Sequence, residues 1–122
     1  MAVTQISLDS PAGYSRYVNT VVNNAISGVK TSAGTIHALI IDNTANAAIT
    51  YIKLYHALTG SVTVGTTAPD DIIAIPASVK RTISFVEGLG FLTGLSVAAV
   101  TAGGTGGTTS PTSSVILTVE YV

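Results

Sequence analysis

The residues able to do chemistry in this chain are few, and the first group to weigh is the stretch TAGGTGGTTSP, residues 101–111. It holds four glycines and four threonines, then a proline. Glycine-rich turns cradle phosphate when a lysine neutralises the charge, as in G-x-x-x-x-G-K-[ST]. No lysine follows here, and no cationic residue lies between Arg81 and the C-terminus. The dinucleotide pattern G-x-G-x-x-G fails as well, because the third glycine would fall on Thr109. No helical pattern follows to lend its N-terminus to an anion. The stretch therefore reads as a loop between the last two strands, with contact to a neighbouring subunit as its functional alternative.

The remaining candidates are scattered. GLSVA, residues 94–98, approaches the nucleophile elbow G-x-S-x-G, but Ala98 stands where the last glycine belongs. That elbow also needs a strand-to-helix turn, so Ser96 is expected within a strand. His37 and His56 are the only histidines. Neither sits at H-x-H or H-E-x-x-H spacing, so no metal site is expected. A His37–Asp42–Ser96 triad can be written down, but only geometry assigns such roles. Asp70 and Asp71 are adjacent and in extended chain would point apart, unlike the facing carboxylates of a glycosidase. No catalytic set and no cofactor are expected. The tyrosines offer a different chemistry. Tyr51 and Tyr55 share a strand face with Lys53, and Tyr14 and Tyr17 flank Arg16. Amphipathic aromatic groups of this kind suit an interface, so Tyr14, Arg16, Tyr17, Tyr51 and Tyr55 are the interaction candidates.

Composition limits the partners. Of 122 residues, 9% are charged and 47% are apolar, and the net charge is −1. Ordinary domains carry about 25% charged residues. A surface so poor in charge points to burial against other protein. Five scattered cations, Arg16, Lys30, Lys53, Lys80 and Arg81, do not make the basic face nucleic acid needs. The longest apolar run, residues 91–100, is about half the span of a membrane helix. Cysteine is absent, which excludes disulfides and thiolate metal sites. The start, MAVTQISLDS, lacks the pattern of a secretory signal.

The elements expected to position these residues are strands. Residues 1 to about 16 read as an arm, and 17–30 as one or two strands. TIHALIIDN and AITYIKLYHAL follow, the second alternating with period two. Residues 59–71 form a polar loop, with a short edge strand expected at Val62–Val64. IIAIP is halted by Pro76. KRTISFVE alternates, GLG is expected to turn the chain, FLTGLSVAAVT is a buried strand, and SVILTVEYV closes. About eight strands with turn signals between them predict an all-β chain, a jelly-roll-like antiparallel β-sandwich. It is effectively one domain, with residues 1–30 as arm and first strands and 31–122 as the sandwich.

The run from SAGTIHALIIDNTANAAITYIKLYHAL through IIAIPASVKRTISFVEGLGFLTGLSVAAVT to the last strand resembles small virion proteins of tailed bacteriophages. Gly34, Asn43, Tyr55, Pro76, Gly90, Gly94 and Leu95 carry the resemblance, which covers roughly residues 33–122. It implies a jelly-roll head decoration (cement) protein or a related tail- or fibre-associated component. Such a protein is made in the host cytoplasm and forms trimers on the capsid surface, over a shell of major capsid protein. The competing readings are a carbohydrate-binding β-sandwich module and a small cupin-like enzyme.

Overall fold

A computed structural model describes residues 13–122. The segment expected to be an arm therefore lies mostly outside the described residues. Eight strands run in chain order: β1 (Ser15–Val22), β2 (Ser27–Lys30), β3 (Gly34–Asp42), β4 (Thr50–Tyr55), β5 (Asp71–Ile75), β6 (Lys80–Phe91), β7 (Leu95–Val100) and β8 (Val115–Tyr121). They form two four-stranded sheets, β1-β8-β3-β6 and β2-β7-β4-β5. Every pairing is antiparallel. Successive strands mostly alternate between the sheets, and the first strand pairs with the last. This is jelly-roll order, two packed sheets wound from one folded-over ribbon.

Period-two alternation explains why the sheets stack. Ile36, Leu39 and Ile41 of β3, and Val115, Leu117 and Val119 of β8, are buried from the first sheet. Ile52 and Leu54 of β4, Ile75 of β5, and Leu95, Val97 and Ala99 of β7 meet them from the second. Burying one such aliphatic side chain stabilises the fold by about 1.5–3 kcal/mol. Strands β1 and β2, from the segment expected to hold one or two strands, complete the two sheets against β8 and β7.

Two local expectations need correction. GLG does not turn the chain: β6 continues through Gly88–Leu89–Gly90, and the reversal comes at residues 92–94. Leu89 lies opposite Ile36 and packs on the core, which keeps the segment in the sheet. Gly88 instead serves a bulge, where its φ of 81° is one that glycine adopts without a Cβ clash. The edge strand expected at Val62–Val64 is absent. A 3-10 turn at Thr59–Ser61 stands before it, and Val62 and Val64 pack as loop residues against Tyr55.

One end of the sandwich is closed by a buried asparagine. Asn43 ends β3, and its amide donates to the carbonyls of Ala48, Ile75 and Pro76. Its Oδ1 accepts from Asn46 Nδ2 and Thr50 Oγ1, both at 2.9 Å. Asn46 then exchanges hydrogen bonds with the backbone of Ser113. Three loops are tied at one point, and no polar atom of Asn43 is left unpaired.

Candidate interaction surface

The inner strands of the second sheet, β7 and β4, are buried on both faces. All six residues of β7 are buried, and Tyr51, Lys53 and Tyr55 point away from the main core under the chain's own loops. Tyr55 forms a second cluster with Val62 and Ala98, flanked by Ile26, Ala57 and Val64. Gly103 lies against the ring of Tyr51; a Cβ there would stand 3.1 Å from Cε1. The interaction role expected for Tyr55 is thus corrected: it is 1% exposed and packs in the protein's own interior. Tyr51 is half-buried beneath the glycine loop. Its sequence neighbours alternated as a surface strand does, but the covering came from distant loops.

The glycine loop itself wraps a cation. Lys53 is fully buried, and its ammonium donates to the carbonyls of Gly107 at 2.9 Å and Thr105 at 3.3 Å. Burial holds its pKa below the ordinary lysine value. The loop therefore turns carbonyl oxygens inward around positive charge, the reverse of a phosphate cradle. Asn24 fixes the same loop from the β1–β2 connection, by bonds to Thr108 O and Ser110 Oγ. The cation absent from the local sequence arrives from β4, some fifty residues away along the chain.

The other reactive side chains are engaged separately. Ser96 lies in β7, as expected, and donates to Ala57 O at 2.7 Å. His37 sits in the first sheet with its ring stacked on Tyr14, centroids 4.3 Å apart. Asp42 accepts from the backbone and hydroxyl of Thr44, and these bonds, the hydroxyl's first, lower its pKa. The written triad is thus divided between two sheets. His56 lies 3.1 Å from Asp71 through Nε2, and its backbone N–H donates to Asp70 Oδ2. Both acids converge on one histidine, which ties β4 to β5. Among the described residues, no three His, Asp or Glu side chains are grouped to hold a metal ion. Among them also, no helix is long and apolar enough to cross a membrane.

Of the five interaction candidates, Tyr14, Arg16 and Tyr17 fall together at the start of β1. Tyr17 is half-buried against the core, and its hydroxyl accepts from Asn19 Nδ2. Arg16 lies across from Glu120 with Nε 3.6 Å from Oε1. Tyr14 reaches over β8 to His37 of β3. They border the outer face of the first sheet, where register sets three rows. Arg16, Glu120, Ala38 and Ser84 form one; Val18, Thr118, Ile40 and Thr82 the next; Ile116, Asp42 and Lys80 the third. Val18 is 55% exposed, Val21 62% and Ile116 40%. Thr118 and Glu120, in the middle of these rows, are only 8% exposed, so what sequence reasoning missed is three exposed aliphatics on β1 and at the start of β8. The signal available was Val18, Val21 and Ile116 falling between the inward positions of their strands.

No protein-family model matches the chain, and no curated protein matches it either. The class rests on the fold: an antiparallel β-sandwich in jelly-roll order.

Proposed function

We propose that this chain is a non-enzymatic structural protein of a virion. In this reading it is a decoration, or cement, protein. It binds the outer surface of a shell of major capsid protein, as a homotrimer, and stabilises the assembled shell. The observation that carries the reading is the exposure of Val18, Val21 and Ile116 on the first sheet, in a chain only 9% charged. Such an apolar patch marks a protein contact. The resemblance of residues 33–122 to small phage virion proteins supports the location. The side chains with reactive potential also support it, since Lys53, Ser96, His37 and His56 are each engaged within the fold. Mass action supplies the mechanism: a protein that binds only the assembled shell shifts the equilibrium toward it. Three linked copies bind with a higher effective concentration than one.

The test combines light scattering with shell binding. The expected result is a stable trimer that adds to bare capsids and raises their melting temperature. A chain with no affinity for shells overturns the reading. Saturable binding on a glycan array would then identify a carbohydrate-binding module, and binding to tails alone a tail or fibre component.

A further inference from the structure

We infer that residues 102–108, the body of the glycine loop, form a lid that opens locally from the outer face of β4, with Lys53 as its latch. The inference concerns the chain alone and holds whatever the chain binds.

The lid is closed at its neck. The Thr101 N–H donates to the Thr109 carbonyl at 2.9 Å, so the two ends stay together while the residues between them turn as one body. This is the form of a compact surface loop with joined ends. The lid is also folded on itself, since a Cβ on Gly107 would stand 2.4 Å from the Ala102 carbonyl oxygen.

Little apolar contact holds it down. Residues 102–108 read AGGTGGT, with no side chain larger than threonine. All but Gly107 are exposed. The hold on the body is mainly polar. Lys53 donates to the carbonyls of Thr105 and Gly107, and Asn24 Nδ2 donates to that of Thr108. Gly103 rests on the Tyr51 ring, and the Thr108 methyl group lies against Gly65. Segments with few buried apolar contacts open at low free energy, ahead of the core.

The latch also works against closure. Under the closed lid Lys53 is 0% exposed, and among the described residues it has no carboxylate partner. The covering segments, 57–67 and 101–114, contain no acid. A buried ammonium without a counter-ion is poorly solvated, and burial holds its pKa below the ordinary lysine value. Opening returns the charge to water. The closed and open forms are therefore close in free energy, unlike β7, which is buried along its whole length. The open form presents the Tyr51 ring and the Lys53 ammonium side by side on one strand face. The closed form covers both.

The experiment acetylates the full chain with N-hydroxysuccinimidyl acetate at several urea concentrations below the unfolding transition. Peptide mass spectrometry reads the rate at each lysine, with exposed Lys80 as the internal reference. Lys53 is expected to react at least about tenfold more slowly than Lys80, through the open form alone. Its rate should scarcely change with urea, because opening the lid exposes little surface. Asn24→Ala should raise that rate about fivefold, the worth of one hydrogen bond. Thr108→Ala, which removes the methyl group set against Gly65, should raise it too. Both variants should keep the Lys80 rate and melt within about 5 °C of the parent. A Lys53 rate that climbs with urea as steeply as global unfolding overturns the inference. So does a rate equal to that of Lys80, or a parental rate in both variants.

Discussion

Lys53 is the residue whose environment departs furthest from its sequence context. Its charge is buried against two carbonyls rather than a carboxylate. The folded chain therefore gives up this proton at lower pH than the unfolded chain does. Between those two values the unfolded chain binds more protons, so stability rises with pH until about the ordinary value of 10.5. Tyr55 acts in the opposite direction, since burial raises its pKa above 10.0 and stability falls as pH climbs past that point. Denaturant titrations across alkaline pH should show the rise missing in Lys53→Met and the fall missing in Tyr55→Phe. Lys53→Ala should cost about 2 kcal/mol, because two loop carbonyls lose their donor inside the fold. Asn43→Ala should cost about 3 kcal/mol by the same measurement, leaving Asn46, Thr50 and several carbonyls short of partners.

At the scale of elements, Gly34, Gly94 and Gly88 have separate physical reasons. Gly34 opens β3 where the backbone of Val122 crosses close by; a Cβ there would collide with the Val122 carbonyl and the Phe91 ring. Gly34→Ala should therefore destabilise the chain by about 1–3 kcal/mol, the range for overpacking, read as a lower denaturation midpoint. Gly94, in the turn before β7, would place a Cβ 2.9 Å from the Lys30 carbonyl. Gly88 holds the bulge of β6 with positive φ and sits against Thr35 and His37. The sequence placed Gly34 at the opening of a strand, Gly88 in a turn and Gly94 within a strand. Whether each made a turn, a bulge or a close approach depended on a partner strand far away in the chain.

For the whole molecule, the pairing of β1 with β8 brings Ser15 beside Tyr121. The first sheet cannot be completed until its first and last strands are both in place. Such non-local topology folds slowly, in milliseconds to seconds rather than microseconds. Stopped-flow refolding should show this rate, and a chain lacking residues 115–122 should not fold, because β8 is the inner strand joining β1 to β3. The two sheets then differ in their treatment of solvent. The inner strands of the second are covered by the loops after β4 and β7, whereas the first exposes Val18, Val21 and Ile116.

Period-two alternation, turn residues and low charge determined by themselves that this is an all-β sandwich of about eight strands, because alternation is a local consequence of strand geometry. They also placed Ser96 in a strand and denied the glycine loop a phosphate. Tertiary structure alone decided which alternating faces are surfaces. The Tyr51–Lys53–Tyr55 face and the side chains of Val18, Val21 and Ile116 lie outside the main core, and the first is sealed by loops while those three aliphatics stay exposed. Covering is a non-local property: it depends on where residues 56–67 and 101–111 come to rest, and no spacing within β4 or β1 encodes that.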